Sequence, residues 1–285
     1  MNFLKKVLKI LAYLLIGLLI LFIITINIFF KPFSDDEVRE FFDDNNKSVF
    51  IQHSSFRDKE FRIISTQEEI DSLKPTLILL HGSPGGSMDF KAYLVDDDLR
   101  SKANLLALDR VGYSENSLKE VQPIAFEQAW INRFTDSLNV ETTILAGYSY
   151  GGPIALASQK SYKKVVIMAG AVSSEAEPMF WFVNFYKWRL TRWMMPKMLE
   201  AASVEKIGHP EDLQSIEQSW GNTPANVISI HGDVDWIVPY ENSIFLENQF
   251  SKEQYEILTL TGASHDLIWS RFEEIKQELI KVIEE

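Results

Sequence analysis

The chain has 285 residues, 46% of them hydrophobic and 24% charged, so a folded core is expected and extended disorder is excluded. A net charge of −12 repels phosphate backbones and argues against nucleic-acid binding. Without a single cysteine, disulfides, thiolate nucleophiles and cysteine metal ligands are excluded together.

From Ile10 to Phe30 no charged residue occurs, and most positions are Leu, Ile, Phe or Val. As a helix such a run reaches about 30 Å, the thickness of a bilayer hydrocarbon core. Lys5, Lys6 and Lys9 precede it, and Asp35, Asp36 and Glu37 follow Lys31. The positive-inside tendency then places the N-terminus in the cytoplasm and residues 35–285 outside it. Residues 1–33 are therefore expected to form a cytoplasmic N-terminus and a single-pass transmembrane anchor. The alternative is a cleaved signal peptide, whose apolar region is usually shorter, and no clear small-x-small cleavage site follows Phe30. Residues 34–47, polar and acidic, read as a juxtamembrane linker or short helix.

Val49–Ser54 and Phe61–Thr66 suit an entering pair of strands. Strands are then expected at Thr76–Leu80, Asn104–Leu108, Thr143–Gly147, Lys164–Ala169, Val227–His231 and Tyr255–Thr261. Most are apolar throughout, as strands buried on both faces are. Helical patterns fall between them near Ser87–Leu94, Ile124–Asn139, Gly151–Lys160 and Asn242–Asn248, with an amphipathic closing helix at Asp266–Ile283. This alternation is the signature of an α/β fold, a mostly parallel central sheet flanked by helices, here over residues 48–285.

Between Ala169 and Asn226 no convincing strand occurs. Pro178 and Pro210 each stand where a first-turn proline would start a helix. The segment reads as a helical cap over the sheet at about residues 173–222. It carries Phe180, Trp181, Phe182, Phe185, Tyr186, Trp188 and Trp193. Aromatics at helical spacing usually pack inward, so most of this stripe is expected to be core. The rest would line an apolar pocket for an acyl chain or rest on the membrane beside the anchor.

The run Gly147-Tyr148-Ser149-Tyr150-Gly151 follows an apolar strand and opens a small-residue helix. That is G-x-S-x-G in a strand–turn–helix setting, which pushes a serine hydroxyl out beside the free N–H groups of a helix start. Ser149 is the candidate nucleophile. It needs a base, and the base needs an orienting acid. The histidines are His53, His81, His209, His231 and His265. With the chain order nucleophile, acid, base, only His265 follows a strong acid candidate. For the acid, Asp235 is favoured in His231-Gly232-Asp233-Val234-Asp235, with Asp233 shaping the turn through its own backbone. Glu175 and Glu177 are weaker alternatives. An oxyanion hole would draw on the backbone N–H of Tyr150 and that of Ser83, in the glycine-rich His81-Gly82-Ser83-Pro84-Gly85-Gly86 loop.

Four motifs in order carry a resemblance to the α/β-hydrolase superfamily: His81–Gly85, Asp109–Ser114, Gly147–Gly151, and Gly232–Asp235 with His265 beyond. In that family the second motif is a structural turn, so Asp109 and Arg110 are assigned no catalytic role. The family usually carries a helical cap where residues 173–222 lie. Haloalkane dehalogenases and epoxide hydrolases have Asp where Ser149 stands, which argues against both chemistries. The first motif is also similar to the His-Gly-Gly-Pro-Gly of proline iminopeptidases. That family tends to have Trp where Tyr150 stands, and its cap glutamates bind a free amine, a role open here to Glu175, Glu177 and Glu200.

Together with the anchor read from the N-terminal apolar run, the resemblance implies a membrane-anchored serine hydrolase, esterase- or lipase-like, acting on a carboxylic ester or related acyl bond of a small-molecule or lipid-like substrate. No cofactor and no metal is implied. A proline-iminopeptidase-like aminopeptidase and a non-catalytic ligand-binding protein on the same scaffold are the alternatives.

Overall fold

The computed structural model describes residues 2–115 and 118–285. Asn2–Phe29 form α1, a helix of 28 residues and about 42 Å. Its apolar side chains lie exposed along its length, and it is the one helix among the described residues long and apolar enough to cross a membrane. Ser34 then caps α2 (Asp35–Asp44): its hydroxyl accepts from the Glu37 N–H while the Glu37 carboxylate reaches back to the Ser34 N–H. Val38 and Phe42, one turn apart, are fully buried in the core, so residues 35–44 are a docked helix and not a free linker. Arg62 fastens the junction, its Nη1 donating to the Phe33 carbonyl at 2.8 Å and to Asp35 Oδ1 at 2.9 Å.

The strands are β1 (Phe50–Phe56), β2 (Lys59–Ser65), β3 (Thr76–Leu80), β4 (Asn104–Asp109), β5 (Thr143–Tyr148), β6 (Lys164–Met168), β7 (Val227–Gly232) and β8 (Tyr255–Leu260). They form one sheet in the order β1-β2-β4-β3-β5-β6-β7-β8. β2 pairs antiparallel with both β1 and β4, and every later pairing is parallel. Alternate residues of β3 feed two separate cores, Leu77 and Leu79 on one face and Ile78 and Leu80 on the other. That two-sided burial is why these strands read as unbroken apolar runs.

Helices cover both faces: α3 (Lys91–Val95), α4 (Asp97–Lys102), α5 (Ile124–Thr135), α6 (Gly151–Ala157), then the cap helices α7 (Asn184–Lys187), α8 (Arg189–Arg192) and α9 (Lys197–Ile216), and finally α10 (Glu241–Glu247), α11 (Leu267–Ser270) and α12 (Phe272–Glu284). α12 buries Ile275, Leu279 and Val282 and closes the fold. Pro210 does not start a helix; α9 begins after Pro196 and runs through Pro210, giving up one backbone hydrogen bond. Pro178 likewise opens no helix, and the first helical turn after it begins at Trp181.

The cap aromatics depart furthest from expectation. None of Phe180, Trp181, Phe182, Phe185, Tyr186, Trp188 and Trp193 is buried. The segment that carries them is broken into short pieces, a turn at Trp181–Val183 and the four-residue helices α7 and α8, too short to turn one face inward and another out. The stripe is surface and pocket wall, not core.

Candidate active site

β3 lies between β4 and β5, so the chain crosses from one side of β3 to the other beside its carboxyl end. A crevice opens at such a reversal in parallel sheets. Ser149 stands at this end of β5, with φ at +52°, a strained left-handed conformation for a residue with a side chain. Its N–H donates to the Met168 carbonyl at 2.9 Å, and its carbonyl accepts from the Gly152 and Ala171 N–H groups at 3.0 and 3.2 Å. The flanking glycines are required by space: a Cβ on Gly147 would fall 2.2 Å from the Gly151 carbonyl oxygen, and one on Gly151 2.3 Å from that of Leu80.

His265, on the loop after β8, places Nε2 3.0 Å from Ser149 Oγ and Nδ1 2.7 Å from Asp235 Oδ2. Asp235 Oδ1 accepts the Ile237 and Val238 N–H groups, both at 2.9 Å. Burial works against its charge, but hydrogen bonds from His231 and His265, with the Val238 N–H, hold its carboxyl well below the ordinary carboxylate range. Asp235 is thus an anion with its lone pairs aimed. Asp233 differs from expectation. Its carboxylate accepts the Gly262 N–H at 2.7 Å, tying the acid-bearing loop to the loop that carries His265. Tyr148 adds a second restraint, donating its hydroxyl to the His265 carbonyl at 2.8 Å.

The Gly82–Ser83 loop lies directly over the serine; a Cβ on Gly82 would come within 2.9 Å of Ser149 Cβ. The Ser83 and Tyr150 N–H groups, paired in the sequence reading, have no acceptor among the described residues. A cavity of about 330 Å³ opens here, lined by both of them, Ser149 and His265, and walled by Phe180, Phe182, Val183, Met195, Leu199 and Ile237. Glu177 also lines it, but its buried carboxylate is paired with Lys206 Nζ at 2.5 Å. Glu175 is exposed, and Glu200 pairs with Lys119.

Residues 75–200 match a family described as alpha/beta hydrolase fold. The chain is an α/β-hydrolase-fold protein. Over 120 residues it is 28% identical to proline iminopeptidase of Lactobacillus helveticus (strain DPC 4571), covering 40% of this chain and 39% of that one. The chain thus spans about two fifths of the length of the curated relatives it matches. Among solved structures it is similar to a bacterial membrane phospholipase A, at 15% identity and a TM-score of 0.65, covering 100% of this chain and 98% of the other. It is also similar to the naproxen esterase of Bacillus subtilis, at 17% identity and a TM-score of 0.59, covering 87% and 98%.

Within this α/β-hydrolase fold, sequence reasoning missed the group beneath the Gly82–Ser83 loop. Arg110 is fully buried and pairs with Glu205 through both terminal nitrogens, at 2.8 and 3.2 Å. The same guanidinium donates to the carbonyls of Gly82 at 3.0 Å and His81 at 3.2 Å. Tyr113 donates its hydroxyl to Glu205 at 2.6 Å and shares a 2.6 Å hydrogen bond with Ser83 Oγ. Cap helix α9 and the Gly82–Ser83 loop are thereby joined through one arginine. No local pattern announces a pair 95 positions apart.

Glu127 stands 3.9 Å from Arg110. Burial, opposed by Arg110 and reinforced by Glu205, pushes its pKa from 4.5 up to about 8. Between those values the folded chain keeps a proton that the unfolded chain has released, so stability falls as pH rises through that window. Asp89, raised by burial from 3.8 to about 7, acts in the same direction. Glu127→Gln is expected to remove its share and to flatten the fall in stability toward about pH 8. Thermal unfolding midpoints of the full chain in detergent, taken across this range, check it; an unchanged profile would remove Glu127 from the account.

Proposed function

We propose that the protein is a membrane-anchored serine hydrolase that cleaves a carboxylic ester or related acyl bond. The observation that carries the proposal is the hydrogen-bonded line from Asp235 through His265 to Ser149, on a strained turn at the mouth of an apolar cavity. In this reading Ser149 Oγ attacks the carbonyl carbon while His265 Nε2 takes its proton. Asp235 fixes the imidazole tautomer and stabilises the imidazolium. The N–H groups of Ser83 and Tyr150 receive the oxyanion, and the leaving alkoxide takes the proton back from His265. Water, deprotonated by His265, then attacks the acyl-enzyme and releases the acid.

A fluorophosphonate applied to the full chain in detergent is expected to add one adduct, found by intact mass, and to add none to Ser149→Ala. Labelling of both, or of neither, would sink the proposal.

The iminopeptidase relative favours a second reading, an aminopeptidase whose cap recognises a free amine. Against it, Glu177 already spends its charge on Lys206. Turnover of a prolyl amide in preference to aryl and alkyl esters would reverse the order of the two readings.

A further inference from the structure

Between Pro178 and Met198 the chain carries Lys187, Arg189, Arg192 and Lys197 and no acidic residue, in a protein of net charge −12. In the same stretch Trp181, Trp188 and Trp193 are 72%, 65% and 71% exposed, and Leu190 is 86% exposed. Exposed tryptophans beside arginine and lysine are the composition of a membrane–water interface, where the rings sit at headgroup level and the cations meet anionic lipid. Soluble surfaces rarely leave so much contiguous apolar area uncovered.

Two further observations say what covers it. Phe30, just past the end of the apolar α1, packs against the small cluster formed by Tyr113 with Met198 and Ala201 of α9, so the membrane helix ends beside the base of the cap. The stacked rings of Phe180 and Phe182, 5.2 Å apart, wall the cavity over Ser149, and Phe182 is itself 49% exposed. One continuous surface therefore runs from the end of α1 over the cap to the cavity.

We propose that residues 179–197 lie in the headgroup layer of the anionic bilayer that α1 spans, and that the cavity takes its acyl substrate from that bilayer. The proposal rests on the anchor and hydrolase reading above and names its substrate class: a lipid ester held in the membrane. The aromatic rings sit among the upper acyl chains. Lys187, Arg189, Arg192 and Lys197 each meet lipid phosphates, strengthening attachment about fivefold per side chain near an anionic surface. An acyl chain then passes alongside the stacked Phe180 and Phe182 rings to Ser149 without crossing water.

The test uses the full chain in nanodiscs of phosphatidylcholine and phosphatidylglycerol, with acyl chains brominated close to the headgroup. α1 contains no tryptophan, so bromine quenching reports the domain alone. Quenching is expected in the parent and should be mostly lost in the Trp181→Phe, Trp188→Phe, Trp193→Phe variant. Arg189→Glu with Arg192→Glu should lower hydrolysis of a bilayer-embedded ester about tenfold or more while leaving a water-soluble ester unaffected. Unquenched tryptophans in a chain that resists alkaline carbonate would overturn the cap surface while leaving the anchor. A chain released by carbonate would overturn the anchor and the proposal with it. Fluorophosphonate labelling of Ser149 reads the hydrolase assignment separately.

Discussion

Asp235→Asn is expected to lower kcat for ester hydrolysis by about 10⁴-fold while leaving the fold in place. The carboxylate has two separate tasks. Oδ1 accepts two backbone N–H groups, from Ile237 and Val238, and Oδ2 accepts the His265 Nδ1 proton. An asparagine keeps its oxygen on the backbone donors and turns its NH₂ toward His265. Nδ1 must then be the lone-pair nitrogen, and Nε2, 3.0 Å from Ser149 Oγ, carries the hydrogen. That tautomer cannot take the serine proton. Steady-state kinetics on a water-soluble ester, beside far-ultraviolet circular dichroism, check the result. A loss below tenfold would move the orienting role away from Asp235. The parent carboxyl, held below the ordinary range, stays ionised at neutral pH. Its contribution to stability is present above about pH 3.8 and is lost as pH falls through its lower folded value.

What could be read along the chain was whatever depends on near neighbours in sequence. Strands β3, β5 and β7 are short apolar runs because both faces of the sheet are covered, and their limits fall within a residue of the expected ones. The Ser149 turn was legible because its two glycines are steric requirements of the turn itself. What escaped depends on partners far along the chain. Asp233 looked like a self-bonded turn residue, but its acceptor oxygen serves Gly262, 29 positions on. Residues 34–47 read equally as a linker or a short helix because only Val38 and Phe42 enter the core, too few among the acids around them to announce a docked face. The cap stripe was misread for the opposite reason. Its periodicity is that of a core helix, but the segment breaks into two four-residue helices and leaves its rings outside.

Arg110→Met is expected to destabilise the protein by about 3–5 kcal/mol, more than any surface substitution could. The cost is the set of groups it would strand. Glu205 would lose both of its guanidinium contacts, and the carbonyls of His81 and Gly82 their donors. All lie out of water, so each unpaired group keeps its full desolvation cost. Arg110→Lys retains a charge but not the planar fork that serves Glu205 and the two carbonyls at once, and should recover only part of the loss. Adding Glu205→Gln and Glu127→Gln to the methionine variant should recover most of it, because Glu205 then leaves no stranded charge and Glu127 has no proton to lose. Chemical unfolding of the full chain in detergent measures all of these variants. Kinetics separate a second effect. Arg110 grips the carbonyl of Gly82, one residue before Ser83, whose N–H is assigned to the oxyanion. The stability-rescued triple variant should therefore still show a lowered kcat with little change in KM, the mark of a donor misplaced only for the transition state. Full recovery of kcat would confine Arg110 to holding the fold.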